Sequence, residues 1–214
     1  MTQSLKVALI DYGMGNLKSI KNVIAHIGEH EVLLTADPVE IDQADVVFLP
    51  GVGAFGDAMK NLRARNLDAI LSEQVLVKKK PTIGICLGMQ LLFERSAEGG
   101  DHQGLGWIPG HVEYLDLPAG FRVPHIGWND LILEQDNPFF AGLGADSNFY
   151  FVHSYHAICD PQYLLATVDY GMKVTAAVQK DNVVGMQFHP EKSQTNGLET
   201  MRRFFQWAQE YRHA

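Results

Sequence analysis

Residues 82–93 read TIGICLGMQLLF, and this segment decides the expected fold. Its first five residues are apolar or small and predict a buried strand, and the apolar residues that follow predict a helix. Gly84 and Gly88 flank Cys86 with the G-x-C-x-G spacing of a nucleophile elbow, in which a tight turn lifts one side chain clear of the backbone. The segment therefore predicts a strand, a turn and a helix, with a cysteine at the turn.

The chain before this segment alternates in the same way. Three short apolar runs predict strands: Lys6–Ile10, Glu31–Leu34 and Asp45–Leu49. We expect the third run to stop at Pro50-Gly51. Apolar residues at helical spacing predict a helix over residues 17–27, ended by Gly28, and a second helix over residues 67–75. Strands and helices in this order favour a parallel sheet with right-handed crossovers.

The second half of the chain is richer in strand patterns. Five segments read as strands: His111–Leu115, Asn129–Leu133, Asn148–Ser154, Val174–Gln179 and Val183–Phe188. The polar residues 180–182 predict a hairpin between the last two, and an amphipathic helix is expected over residues 198–211. The predicted class is α/β, an open, mostly parallel sheet with flanking helices and a β-rich second half, in a single domain spanning residues 1–214.

Composition excludes several classes of protein. The chain has 214 residues, of which 46% are hydrophobic and 20% charged, so a disordered chain is excluded. The net charge of −8 disfavours nucleic acid as a partner. No apolar run reaches the roughly 18 residues of a membrane span, and Met1–Ser4 carries no leader pattern. Cys86 and Cys159 cannot form a disulfide framework. We expect a soluble, cytoplasmic domain that does not bind membranes.

Cys86 is the first candidate for chemistry. A helix that starts at Leu87 points its positive end at the sulfur, which lowers the pKa of the thiol. The Leu87 N–H is then placed to donate to an oxyanion. The alternative is a structural cysteine buried at a strand end, a common environment for this residue.

A thiolate nucleophile needs a base and a group that orients it. His189-Pro190-Glu191 follows an apolar strand. Proline pushes the residue before it toward an extended conformation, and in extended chain residues i and i+2 point the same way. Glu191 can therefore hold one nitrogen of the His189 ring while the other faces the thiol. A surface His–Glu pair is the alternative, but the elbow and this pair together favour a catalytic triad.

Other motifs complete or narrow this site. Pro50-Gly51-Val52-Gly53 leaves a strand with N–H groups free to complete an oxyanion hole, and no Gly-Lys-Ser/Thr follows to make it a phosphate loop. Gly13-Met14-Gly15 lacks the third glycine of a dinucleotide fingerprint. We interpret His153 and His156 as histidines satisfied by hydrogen bonds rather than metal ligands, since no third ligand stands at a suitable spacing. No metal and no cofactor is expected.

With these motifs assembled, the sequence resembles the class I (triad) glutamine amidotransferases along essentially the whole chain. Within that family it is most similar to the glutaminase subunits of imidazole glycerol phosphate synthase. The elbow and the His-Pro-Glu motif are common to the family. Four further stretches carry the closer resemblance: residues 10–17 (IDYGMGNL), 50–55 (PGVGAF), 127–129 (GWN) and 150–155 (YFVHSY).

The resemblance implies an activity and a role for each matched residue. Cys86 would be the nucleophile, His189 the acid and base, and Glu191 its orienter, in the hydrolysis of glutamine to glutamate and ammonia. The oxyanion would be held by N–H groups of Leu87 and of the Val52–Gly53 segment, which would first reorient. The residues that match glutamine-binding positions are Gln90, Glu98, Ser154 and Tyr155.

The resemblance also implies a partner. A (β/α)8-barrel cyclase subunit would form a heterodimer with this chain and use its ammonia to make imidazole glycerol phosphate and an aminoimidazole carboxamide ribotide in histidine biosynthesis. A ligand of the cyclase would raise the glutaminase activity. The residues that match positions at that interface are Trp128, Tyr150 and Lys192.

Three alternatives remain open on sequence alone. A cysteine peptidase or allied hydrolase could use the same elbow, although Gln90 and the Pro50–Gly53 loop fit a small amide substrate better. An interaction protein could keep the fold without the chemistry, but the intact Cys86, His189 and Glu191 argue against this alternative. A paralogous glutaminase could supply ammonia to a different synthase, such as one that amidates a surface sugar.

Overall fold

The computed structural model describes residues 4–143 and 147–213. The strands in this part of the chain are β1 Lys6–Ile10, β2 Glu31–Thr35, β3 Val46–Gly51, β4 Thr82–Cys86, β5 Arg95–Ser96, β6 His102–Gln103, β7 His111–Tyr114, β8 His125–Asp130, β9 Ile132–Leu133, β10 Asn148–His153, β11 Tyr155–Ile158, β12 Leu164–Asp169, β13 Lys173–Lys180 and β14 Val183–Met186. The α-helices are α1 Leu17–Ile27, α2 Pro38–Gln43, α3 Phe55–Ala64, α4 Leu67–Ser72, α5 Leu87–Leu91 and α6 Gln194–His213.

A central sheet organises the molecule, with strand order β2-β1-β3-β4-β14-β13-β12-β9. The first five strands of this order run parallel, and the last three continue the sheet in antiparallel pairs. β3 and β4 are buried along their whole length, as expected for parallel strands covered on both faces. The predicted α/β class with a mostly parallel sheet is confirmed.

Two apolar cores lie on opposite faces of this sheet. On one face, Ile20 and Ile24 of α1 and Phe204 of α6 pack in a core that includes Phe48 of β3. On the other face, a second core contains apolar residues of α3, α4 and α5. The helical spacing read from the sequence therefore marks the buried sides of α1 and α6. Gly28 ends α1 as predicted, in an extended conformation.

The carboxyl ends of the parallel strands lie at one edge of the sheet. Gly51, at the end of β3, pairs with Cys86, at the end of β4. β14 lies on the other side of β4, with Met186 opposite Ile85, and leads directly into residues 187–189. Residues that follow neighbouring parallel strands meet outside their carboxyl ends, which is where open α/β sheets bind ligands.

Several predicted boundaries differ from the structure, and three of the differences bear on how the elements are arranged. β3 continues through Pro50-Gly51, because its pairing with β4 extends to Cys86. The strand predicted over Asn129–Leu133 is divided between β8 and β9, which belong to different sheets, and Leu131 is buried between them. The helix predicted over residues 67–75 is α4 followed by a π-helical turn over Glu73–Val77.

Smaller sheets and turns complete the described residues. β8 and β10 form an antiparallel pair, and β11, β7, β5 and β6 form a four-stranded sheet. The hairpin predicted at residues 180–182 joins β13 and β14, with Lys180 opposite Val183. No helix within residues 4–143 and 147–213 is long and apolar enough to cross a membrane.

Candidate active site

Cys86 occupies a sharp turn between β4 and α5. Its backbone has φ 56° and ψ −115°, a conformation that a residue with a side chain rarely adopts. A Cβ atom on Gly88 would lie 1.8 Å from the Leu49 carbonyl oxygen, and one on Gly84 would lie 2.6 Å from the Gly88 carbonyl oxygen. Both glycines are therefore needed for the close approach of the turn to its neighbours, and the predicted elbow geometry is present.

The helix after the cysteine is shorter than predicted. α5 ends at Leu91, and the next two N–H groups, of Leu92 and Phe93, bond to carbonyls three residues back. A helix of this length adds little macrodipole, so its effect on the sulfur comes mainly from the free N–H groups of its first turn. Leu87 is the first helical residue, and its N–H has no partner within the helix.

His189 and Glu191 form a buried pair beyond the end of β14. Nδ1 of His189 lies 2.8 Å from Oε1 of Glu191, and the two side chains are only 3% and 2% exposed. The backbone at His189 is extended, as the following proline predicts. Ser193 secures the segment, because its hydroxyl donates to the His189 carbonyl at 2.7 Å and accepts from the Tyr150 N–H at 3.0 Å.

The electrostatics of His189 favour its protonated form. Burial lowers the pKa of the ring, but the charge of Cys86 and the charge and hydrogen bond of Glu191 outweigh burial and raise the pKa to about 9. Nε2 itself is buried and makes no hydrogen bond to any residue in the described part of the chain. Cys86 therefore acts on the ring through its charge, with no hydrogen bond formed to Nε2.

A cavity of about 470 Å³ opens above this pair. Ten of the residues predicted from the sequence line it, among other residues: Cys86, His189, Val52, Gly53, Leu87, Gln90, Glu98, Ser154, Tyr155 and Lys192. Glu191 stands behind His189 rather than in the cavity wall. The structure thus brings together residues from five separate stretches of sequence.

Glu98 and Gln90 already bond to the protein. Oε2 of Glu98 accepts at 2.8 Å from the N–H of Phe55, which starts α3 two residues after Gly53. Gln90 donates from Nε2 to the Tyr155 carbonyl and to Oε1 of Gln187, both at 3.0 Å. A ligand in the cavity would therefore meet the second carboxylate oxygen of Glu98 and the amide oxygen of Gln90.

The two histidines considered as metal ligands have different environments. His153 bonds to the Tyr155 carbonyl at 2.8 Å and to Nδ1 of His125 at 3.0 Å, as predicted for a satisfied histidine. Burial lowers the pKa of His153 to about 3, so the ring is neutral. The prediction is wrong for His156, which is buried with no hydrogen bond to any described residue and has Glu113 Oε1 at 3.9 Å. The residues described here contain no group of three or more His, Cys, Asp or Glu placed to hold a metal ion.

Sequence reasoning missed two residues that touch the site. Gln187 is fully buried after β14, and its Nε2 lies 3.9 Å from the Cys86 sulfur. Tyr12 is also fully buried and donates from its hydroxyl to the Pro50 carbonyl at 2.8 Å. Burial raises the pKa of the Tyr12 hydroxyl, and the nearby Cys86 adds to the shift. Gln187 directly precedes the Phe-His-Pro-Glu stretch, and a polar residue inside an otherwise apolar strand end was the available signal.

The three residues predicted to meet a partner lie together beside the cavity. Trp128 of β8 is 44% exposed and stands edge-on to the ring of Tyr150 of β10, with 5.7 Å between ring centroids. Nζ of Lys192 lies 5.4 Å from the centroid of the Tyr150 ring. This aromatic cluster, Trp128, Tyr150 and Lys192, is a partly exposed surface next to His189.

Comparison with known proteins gives one family. The family model described as glutamine amidotransferase class-I matches residues 8–207. The chain is 54% identical to imidazole glycerol phosphate synthase subunit HisH 2 of Vibrio vulnificus, over 95% of each protein. It is 46% identical to imidazole glycerol phosphate synthase subunit HisH of Aquifex aeolicus, over 94% of this chain and 96% of that protein. The solved structure of PurLQS from Thermotoga maritima shares the fold, with a TM-score of 0.70 at 20% identity, covering 98% of this chain and 99% of that one.

Proposed function

The chain belongs to the class I glutamine amidotransferase family, and from this premise we propose that Cys86, His189 and Glu191 hydrolyse glutamine to glutamate and ammonia. It is a glutaminase subunit of the imidazole glycerol phosphate synthase type, and its ammonia enters histidine biosynthesis. We assign the activity to one glutamine amidotransferase domain over residues 1–214. The observation that carries the catalytic assignment is the buried Glu191–His189 pair, whose His189 lines the same cavity as Cys86.

The first half of the reaction forms a thioester. The Cys86 thiolate attacks the side-chain carboxamide carbon of glutamine, and the carbonyl oxygen becomes an oxyanion. N–H groups of Leu87 and of the Val52–Gly53 segment hold that oxyanion, and the loss of one such donor typically costs about 2.7–4 kcal/mol of barrier. His189, protonated because its pKa is raised to about 9, donates its proton to the departing nitrogen. The C–N bond breaks, leaving a γ-glutamyl thioester and free ammonia.

The second half regenerates the enzyme. Once the sulfur is acylated it carries no charge, so one of the interactions that raise the pKa of His189 is lost. The neutral imidazole then takes a proton from water, and the hydroxide attacks the thioester. Glutamate leaves and Cys86 returns as thiolate with His189 protonated. Glu191 accepts from Nδ1 throughout, which keeps Nε2 directed at the reacting atoms.

The substrate's amino-acid end is held at the cavity wall. The free carboxylate oxygen of Glu98 pairs with the α-ammonium group of glutamine, since hydrogen bonds between opposite charges are strong. Ser154 and Tyr155 contact the α-carboxylate end, and the amide oxygen of Gln90 accepts from the substrate's carboxamide. The cavity, about 470 Å³, holds an amino acid of this size.

A cyclase subunit consumes the ammonia in a heterodimer. In bulk water ammonia becomes ammonium, which is not a nucleophile, so direct transfer to the partner prevents its loss. The aromatic cluster is the docking surface we assign to the cyclase, because exposed aromatic side chains supply much of the energy of protein interfaces. We place both subunits in the cytoplasm.

Glutamate release from glutamine tests the proposal. The purified chain is assayed alone and with the barrel cyclase and its ribonucleotide ligand, and we expect low activity alone and strong activation by both. Cys86→Ala is expected to abolish release. Cys159→Ala is the matched control, since burial raises the pKa of that second thiol to about 11 and it lies outside the cavity. Full turnover by Cys86→Ala would disprove the mechanism. Strong activity in the free chain would indicate a glutaminase that acts without activation and has a different or weaker partner.

A further inference from the structure

One backbone carbonyl fixes the orientation of several buried side chains near Cys86. The Tyr155 carbonyl oxygen accepts from Nε2 of Gln90 at 3.0 Å and from Nδ1 of His153 at 2.8 Å. A carbonyl oxygen only accepts, so both partners must present a hydrogen to it. Gln90 therefore turns its NH2 group, and not its oxygen, toward Tyr155, and the proton of His153 is on Nδ1.

The orientation of Gln90 determines that of Gln187. The same Nε2 of Gln90 lies 3.0 Å from the side chain of Gln187, which must meet it with an acceptor, Oε1. The amide nitrogen of Gln187 then faces the other way, where the sulfur of Cys86 lies 3.9 Å from it. Gln187 is 0% exposed, so water does not compete for this N–H. The hydrogen-bond network therefore determines that Nε2 of Gln187, and not Oε1, faces Cys86.

We propose that Gln187 is a further catalytic residue, whose side-chain N–H donates to the Cys86 sulfur and stabilises the thiolate. A hydrogen bond to a charged acceptor is roughly twice as strong as one between neutral groups, so the contact favours the thiolate over the thiol. The inference rests on the proposed function only in that Cys86 is the nucleophile; the hydrogen bond itself can be tested without glutamine.

Two other possible sources of thiolate stabilisation, the helix dipole of α5 and a hydrogen bond from His189, contribute little. α5 is too short to supply much macrodipole, and Nε2 of His189 forms no hydrogen bond to a described residue. His153 anchors the far side of the Tyr155 carbonyl and is itself held by His125, with 3.0 Å between their ring nitrogens. The donor is therefore pre-positioned, and no rearrangement is needed when the sulfur loses its proton.

The test is the pH dependence of Cys86 alkylation by iodoacetamide, which reports the fraction of thiolate. Gln187→Met keeps similar length and removes the donor. We expect its alkylation midpoint to move about one pH unit upward, with the rate near neutral pH falling roughly tenfold, as for the loss of a hydrogen bond to a charged group. The experiments use a Cys159→Ser background, so that Cys86 is the thiol observed.

Controls separate this role from a structural one. Gln74→Met removes another buried glutamine amide, one that bonds to Asp42 at 3.0 Å outside the cavity, and should leave the alkylation profile unchanged. If Gln187→Met does not fold, Gln187→Asn keeps the amide but is too short to reach the sulfur, and the same shift is expected. An unchanged profile in a folded Gln187 variant would overturn the inference.

The two proposals fail in different ways. If Cys86→Ala keeps glutaminase turnover while Gln187→Met shifts the alkylation profile, the hydrogen bond stands and the proposed function falls. If Cys86→Ala abolishes turnover and the Gln187→Met profile is unshifted, the function stands and this inference falls.

Discussion

The backbone N–H of His189 donates to the carbonyl oxygen of Tyr150 at 2.9 Å. The Ser193 hydroxyl adds a second link, because it accepts from the Tyr150 N–H and donates to the His189 carbonyl. The side chain of Tyr150 meanwhile packs against Trp128 on the exposed side. His189 and the proposed docking surface are therefore joined through one strand, β10, and a shift of that strand on partner binding would move the His189 backbone with it.

Trp128→Ala tests the docking surface. An aromatic side chain at the centre of an interface typically contributes about 2 kcal/mol or more, so we expect the affinity for the cyclase to fall roughly 30-fold. The activation of glutamate release by the cyclase should need correspondingly more partner. A calorimetric titration of the cyclase into the chain measures the affinity directly.

Leu76→Ala is the control for that substitution. Leu76 is 40% exposed, close to the exposure of Trp128, but lies in the π-helical turn that precedes β4, away from the carboxyl edge of the sheet. Its loss should leave the affinity unchanged. Equal affinity of the Trp128→Ala variant and the unaltered chain would remove Trp128 from the docking surface.

The pKa of His189 predicts the alkaline limit of activity. The ring must be protonated to donate to the departing nitrogen, and its pKa is raised to about 9 by Cys86 and Glu191 against the effect of burial. The protonated form therefore dominates below that value, and activity should fall as the pH rises through about 9. The measurement is the pH dependence of kcat/KM for glutamine hydrolysis by the complex, which reports the pKa values of the essential groups before glutamine binds.

Glu191→Gln should move that alkaline limit downward. The substitution keeps an acceptor for Nδ1 but removes the carboxylate charge that helps to raise the pKa of His189. We expect the limb to shift by roughly one pH unit or more, together with a loss of kcat. Glu94→Gln, at a carboxylate that bonds to the Gly110 N–H, is the control. An alkaline limb that stays in place in Glu191→Gln would mean that another group controls it.

Glu98→Gln separates substrate binding from loop support. A glutamine at this position keeps an oxygen to accept from the Phe55 N–H, a bond of 2.8 Å, but loses the charge that pairs with the substrate's ammonium group. We expect KM for glutamine to rise roughly tenfold or more, with kcat little changed, as for a lost hydrogen bond to a charged group.

Glu98→Ala should behave differently from Glu98→Gln. It also leaves the Phe55 N–H unpaired at the start of α3, next to the segment assigned to the oxyanion hole, so kcat should fall as well. Steady-state kinetics on both variants gives the comparison. The same KM in Glu98→Gln as in the unaltered chain would show that Glu98 only accepts the Phe55 N–H and does not bind the substrate.

The sequence predicted the elements whose signal is local. β1 and β4 have the predicted bounds, and the turn at Cys86 follows from glycines that no larger residue could replace. The extended backbone of His189 follows from the proline after it. The strands and the His189 backbone depend on residues adjacent in the chain. The glycine spacing indicated the turn, although the contact that requires Gly88 is with Leu49 of β3.

What the sequence could not predict depends on pairing between distant segments. β3 passes through Pro50 because β4 lies beside it, which no local rule for proline reveals. Gln187 reads as one polar residue at a strand end, and its contact with Cys86 exists only because β14 lies next to β4. Tyr12 meets Pro50 for a similar reason, since β1 and β3 are neighbours. Contacts across the sheet decide these features.

Gly88→Ala tests how far the elbow depends on close packing. The added Cβ would lie 1.8 Å from the Leu49 carbonyl oxygen, a backbone atom inside the central sheet that cannot swing away. We expect a loss of roughly 3 kcal/mol or more in the free energy of unfolding, at the upper end of overpacking costs. At Gly28 the nearest atom to a new Cβ is Nε2 of the His30 side chain, at 2.9 Å, and a side chain can shift further than the backbone of a sheet. Gly28→Ala should therefore cost less than Gly88→Ala, because it disturbs only the His30 ring with its bond from the Leu5 N–H, and alanine also restricts the unfolded chain. Denaturant unfolding of both variants measures the difference, and equal stabilities would show that α5 can move away from β3 at little cost.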